Sequence, residues 1–148
     1  MKVFTKYKLE LIKEESHKYE VDTKISKPQD LVDVLNLVCR INNNTEEVML
    51  LLTLNTKNVI TGWFEVSRGS IDASIVHPRE IFKRALTNNA TSIVVAHNHP
   101  SGDPNPSKED INITNRLKEC GKLLGIDLID HIIIGDEKYV SLKEKGII

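Results

Sequence analysis

The run Thr91-Ser92-Ile93-Val94-Val95-Ala96 leads straight into His97-Asn98-His99, and Pro100, Pro104 and Pro106 follow at once, an order that leaves this stretch few possible shapes. The short, β-branched apolar residues read as a buried strand. Alternation along that strand sends the side chains of His97 and His99 to one side. Pro100, Gly102, Pro104 and Pro106 then exclude both helix and ladder and make the next residues a fixed turn. Ser107 with Asp110 three residues later is an N-cap with an acidic first turn, and Ile111, Leu117, Cys120, Leu123 and Leu124 continue at helical spacing. Strand end and helix start therefore face one point, where two imidazoles, a hydroxyl and a carboxylate meet.

Two neutral imidazoles and one carboxylate, with a fourth position open, suit a catalytic zinc. Such a centre also needs a carboxylate to shuttle the proton of the activated water. Glu46 and Glu47 precede Val48-Met49-Leu50-Leu51-Leu52-Thr53-Leu54, which reads as a central strand, and either could supply it. Each feature has a plainer explanation. Ser107 and Asp110 cap a helix, a lone His-x-His is weak, and a glutamate at a strand start is usually solvated. None of these explains why all of them coincide at the end of one buried strand.

The spacing His97-x-His99, Ser107, Asp110 resembles the JAMM metalloprotease motif of JAB/MPN domains, and the filling His-Asn-His-Pro-Ser-Gly-Asp-Pro-x-Pro-Ser-x-x-Asp resembles the RadC-like branch. Thr53–Asn58, Val66–Ser70, Val76–Glu80 and Leu128–Asp136 look like further RadC-like segments in the same order, so the resemblance covers roughly residues 30 to 148. It implies a single α/β domain of JAB/MPN type, a mixed β-sheet flanked by helices, similar to the cytidine deaminases. It also implies that His97, His99 and Asp110 bind one Zn²⁺, that Ser107 stabilises the oxyanion of a tetrahedral intermediate, and that Glu47 is the general acid/base, with Glu46 as the neighbouring alternative. One departure is Asn55, where the family usually has Asp; a changed turn is the expected consequence.

Other chemistries fare worse. Nucleobase deaminases need a His-x-Glu element and a later Pro-Cys-x-x-Cys, whereas the two cysteines here, Cys39 and Cys120, lie far apart. The nuclease motif named for His-Asn-His is not a contiguous tripeptide. His131, inside the apolar run to Ile134, reads as a satisfied core group or a support for a ligand rather than a ligand itself. His77 and Pro78 read as a helix start. Ser101 and Asp103 are turn residues near the metal, and Trp63 and Phe64 are strand packing.

At 148 residues and 40% hydrophobic content the chain suffices for one α/β core, 28–148, behind an extension, 1–27, whose alternation at Lys6–Lys13 and Lys18–Val21 suggests a hairpin. Longer RadC-like proteins carry an N-terminal helix-hairpin-helix region, for which 27 residues are too few. A net charge of −1 gives no overall basic field, so composition predicts no binding driven by phosphate neutralisation. The unpaired cysteines fit a reducing compartment, and no segment resembles a signal peptide or a bilayer span, so the expected setting is the cytoplasm with no membrane partner. The leading expectation is a zinc-dependent hydrolase of amide bonds acting on a peptide or protein, its specificity carried by loops around Val66 to Val76 and Pro100 to Pro106. The alternative is a non-catalytic or DNA-repair-associated accessory protein that keeps the fold for binding, a reading that rests on the family's historical label. Oligomeric state stays open.

Overall fold

β1, Val48–Leu54, is apolar except at Thr53 and buried along its whole length, as is β3, Ser92–Asn98. A strand with no solvent face needs cover on both sides of its sheet, and that requirement organises the molecule. The computed structural model describes residues 1–69 and 76–148. Within them a mixed five-stranded sheet runs in the order β2-β1-β3-β4-β5, with β2 at Ile60–Arg68, β4 at Asp127–Ile134 and β5 at Tyr139–Ser141. β1 pairs antiparallel with both β2 and β3, β3 runs parallel to β4, and β5 turns back on β4.

One face carries α1, Pro28–Leu37, whose Leu31 and Leu35 pack with Leu50, Leu52, Val94 and Ile132. The other carries α2, Pro78–Thr87, and α3, Lys108–Leu124, through Ile81, Phe82, Ile113 and Leu117 against Met49, Leu51, Ile93 and Val95. This is the single α/β domain with a mixed sheet and flanking helices that the sequence implies. α3 is the crossover between the parallel strands β3 and β4. It therefore starts beside the end of β3, where the sequence places the two histidines.

Several local expectations differ from what forms. α1 stops at Leu37, Arg40 adopts a left-handed φ of 52°, and a short 3-10 turn, η1, occupies Ile41–Asn43. In α3 the buried face is Asp110, Ile113, Thr114, Leu117 and Gly121, whereas Leu123 is 89% exposed, because at 3.6 residues per turn it falls on the opposite side of the helix. No hairpin forms in the extension: before Pro28 the one ladder contact among the described residues is Lys24 with Val59, and Val3, Phe4, Tyr7, Leu9 and Ile12 face solvent. Its apolar residues have no second layer to bury against. Phe64 packs against the α2/α3 core, while Trp63, one position out of phase, points outward. His77 stands at the N-cap of α2 but makes no side-chain capping bond. Asn55 accepts hydrogen bonds at Oδ1 from the N–H groups of Lys57 and Val59, so its departure from Asp is confined to the β1–β2 turn.

Candidate metal centre

His97 is the penultimate residue of β3 and pairs with Met49 of β1, so its ring emerges on the α2/α3 face of the sheet. His99 follows one residue past the strand, with its N–H donating to the Ile134 carbonyl at 2.8 Å. The turn then doubles back: Gly102, at φ 90°, donates its N–H to the His99 carbonyl, and the Asp136 N–H donates to the Gly102 carbonyl. That turn carries the chain to Ser107, the N-cap of α3. Ser107 Oγ accepts from the Asp110 N–H at 3.2 Å, and Asp110 Oδ2 accepts from the Ser107 N–H at 2.8 Å. The capping box thus fixes the carboxylate that the sequence singles out.

The three side chains converge. His97 Nε2 lies 3.0 Å from His99 Nε2 and 3.1 Å from Asp110 Oδ1, and His99 Nε2 lies 3.2 Å from Asp110 Oδ2. One ligand atom from each falls within 4.8 Å of the others, the spacing of a group that can hold a metal ion. Side-chain exposure is 1% at His97, 4% at Asp110 and 14% at His99, so the centre opens to solvent through His99. Burial alone would push the Asp110 carboxyl upward. A hydrogen bond and positive charge on the His97 side, together with the Ser107 N–H, outweigh it and hold that carboxyl well below the usual range. An ionised carboxylate buried against two imidazole nitrogens is a donor set that calls for a cation.

Each imidazole is held from behind. His99 Nδ1 lies 2.7 Å from the Asp103 carbonyl oxygen, which accepts from it and leaves Nε2 toward the cluster. His97 Nδ1 lies 2.8 Å from His131 Nε2, and His131 Nδ1 lies 2.6 Å from the hydroxyl of Thr114. His131 is fully buried. Burial first, and then the neighbouring His97 and His99, push its pKa far down. It supports a candidate ligand without joining the cluster. Asp103 serves through its backbone, and Ser101 contributes only an Oγ that accepts weakly from the Asp103 N–H at 3.4 Å.

The two glutamates part company. Glu46 is exposed and its carboxylate pairs with Arg68 at 3.3 Å. Glu47 is half-buried, immediately precedes β1, and accepts the Gly69 N–H at its backbone carbonyl at 2.8 Å. Continued by two residues, the strand alternation puts Glu47 in phase with Met49 and hence with His97. Between these histidines stands Asn98, which sequence reasoning passed over. Its Oδ1 accepts the Val48 N–H at 2.8 Å and its Nδ2 donates to the Glu46 carbonyl at 3.0 Å. A buried amide flanked by two ligand candidates was the signal. Beside the centre, a cleft of about 850 Å³ lies between α1 and the β4–β5 turn; of the three ligand candidates it touches only His99.

Comparison with known proteins agrees with this architecture. The chain is 55% identical over 127 residues to a UPF0758 protein of Clostridium beijerinckii, covering 86% of this chain and 55% of that one. It is 60% identical over 126 residues to a UPF0758 protein of Clostridium botulinum strain Hall, covering 84% and 54%. The chain thus spans about half the length of these relatives. The family model of the RadC-like JAB domain matches residues 25–147. With the mixed sheet, the crossover helix and the His-His-Asp cluster in place, the chain belongs to the RadC-like JAB domain family.

Proposed function

We propose that this domain is a zinc-dependent hydrolase of amide bonds, a peptidase or isopeptidase. The observation that carries the reading is the convergence of His97 Nε2, His99 Nε2 and both oxygens of Asp110 at the mouth of a buried strand. His97, His99 and Asp110 would hold one Zn²⁺, which supplies a Lewis acid and lowers the pKa of water toward roughly 7. The chain's own groups do the rest. Glu47 takes the proton of the attacking water and returns it to the leaving amine. Ser107 uses an Oγ lone pair in the cap, which leaves its hydroxyl proton to steady the developing oxyanion. The place of Glu47 two residues before Met49, the strand partner of His97, favours it for the proton transfer.

The test is zinc content of purified protein beside Asp110→Ala, followed by cleavage of a peptide and isopeptide library. Near-stoichiometric zinc in the wild type, lost in the variant, supports the centre. Glu47→Gln that keeps zinc but cleaves nothing supports the base. Absence of metal from both proteins would instead favour a domain that keeps the fold for binding. Cleavage lost in Glu46→Gln but kept in Glu47→Gln would reassign the base.

A further inference from the structure

We infer that Thr114 and His131 are positioning residues that set the tautomer of His97 and so aim its Nε2 lone pair at the ion, an assignment that rests on the metal-centre reading above. One chain of hydrogen bonds fixes where each proton sits. Thr114 Oγ1 lies 2.7 Å from the Asp110 backbone carbonyl, one turn back in α3. A carbonyl oxygen only accepts, so the single hydroxyl proton points there. Thr114 Oγ1 must then accept from His131 Nδ1, 2.6 Å away. An imidazole that is 0% exposed and already donating at Nδ1 leaves Nε2 bare. That bare nitrogen receives the Nδ1–H of His97 at 2.8 Å, which in turn leaves His97 Nε2 as the free donor atom of the cluster.

The chain of bonds begins at the Asp110 main-chain carbonyl and leads to His97 Nε2, whose lone pair stands 3.1 Å from the carboxylate of the same Asp110. One helical residue therefore both supplies a ligand and fixes the orientation of another. The two imidazoles differ in this respect. His99 donates directly to the Asp103 carbonyl, an acceptor with no alternative state. His97 donates to an imidazole, which can act as acceptor or donor, so only the Thr114 hydroxyl makes the choice. Loss of that hydroxyl frees the His131 proton to move to Nε2, where it faces His97 Nδ1 and forces the His97 proton to the metal side. Thr114 lies on the buried face of α3, at a position an apolar residue would fill equally well if packing were its only duty.

The experiment compares wild type, Thr114→Ser and Thr114→Val. Long-range ¹H–¹⁵N correlation spectra of the metal-free and zinc-loaded proteins read the His131 tautomer, and a chromophoric chelator in competition reads zinc affinity. Wild type and Thr114→Ser should show His131 protonated at Nδ1 and bare at Nε2, with zinc Kd values within about threefold of each other. Thr114→Val should move proton density to His131 Nε2 and weaken zinc by roughly 10–100-fold, the usual range for loss of a partner behind a ligand. A folded Thr114→Val that binds zinc as tightly as wild type overturns the inference, as does a His131 proton on Nε2 in the wild type, which needs no variant to fold. Wild type with the expected tautomer but no zinc uptake sinks the metal-centre reading; zinc uptake with the opposite tautomer sinks the relay alone.

Discussion

Asn98 and Val48 are joined by a buried 2.8 Å hydrogen bond, from the Val48 N–H to the Asn98 Oδ1, that crosses from the end of β3 to the first residue of β1. The same amide donates to the Glu46 carbonyl, so the backbone on both sides of Glu47 is tied to the residue between the two histidines. Each group left unpaired in the interior costs about 1–3 kcal/mol. Asn98→Ala should lower unfolding free energy by that order while leaving zinc stoichiometry intact, because no ligand is touched. If Glu47 is the base, amide cleavage should fall by up to about 10²-fold, the loss expected from misplacing a catalytic group by about an ångström. Unfolding in urea, zinc content and kcat on one preparation read all three; full activity in a folded Asn98→Ala would show that this tie does not position the base.

Gly135 closes the other side of the site. A Cβ there would run into the Gly102 carbonyl oxygen and stand 2.7 Å from Pro104 Cδ, both in the turn whose Asp103 carbonyl holds His99. Gly135→Ala should therefore cost about 1–3 kcal/mol, as overpacking does, and should also weaken zinc binding by displacing the His99 acceptor. Gly125→Ala provides the comparison. It carries the backbone strain of φ 72° with nothing within 4 Å of its Cβ, so stability should drop while zinc affinity stays. Equal zinc affinities in the two variants would disconnect the turn from the metal.

What the sequence made legible was whatever depends on local pattern. The β-branched run before His97, the prolines after His99 and the Ser107–Asp110 cap each dictate their own backbone, and together they bring the three ligand candidates to one point. The groups behind them were not legible in the same way. Thr114 breaks the apolar pattern of α3, and only the packing of that helix on β4 reveals that the break faces His131. Leu123 and Leu124 look apolar in sequence and still lie outside, because the buried face runs through Ile113, Thr114, Leu117 and Gly121: Leu123 falls opposite it, and Leu124 is the last residue of the helix. The alternating residues at Lys6–Lys13 form no strand for a related reason: alternation needs a partner layer, and the chain provides none there.

Ser107 has two duties that substitution can separate. As N-cap its Oγ accepts the Asp110 N–H, and as a proposed oxyanion donor it gives its proton. Ser107→Ala should lose both, with a stability cost of about 1 kcal/mol and a fall in kcat of about 10²–10³-fold. Ser107→Gly should cost only a few tenths of a kcal/mol yet lose the same hydroxyl, so its kcat should match that of Ser107→Ala. Thermal unfolding and steady-state kinetics on both variants decide the matter. Wild-type turnover in Ser107→Gly would leave Ser107 as a helix cap alone.

Asp130 supplies a pH dependence of opposite sign to that of most buried carboxylates. Burial raises its carboxyl pKa, against hydrogen bonds from the Ser141 hydroxyl, the Lys143 N–H and the His131 N–H, and the net shift is upward from 3.8. A group whose folded value is raised stabilises fully below its unfolded value, and that contribution is lost as pH rises through the folded value. Asn at this position mimics the protonated carboxyl, accepting from the two N–H groups and donating to the Ser141 hydroxyl. Asp130→Asn should therefore match wild type near pH 3 and gain on it steadily as pH climbs above about 4. Urea midpoints of both proteins between pH 3 and 7, in excess chelator so that metal linkage adds no slope, measure the difference. A gap that stays constant across that range would mean that the folded and unfolded carboxyls titrate alike.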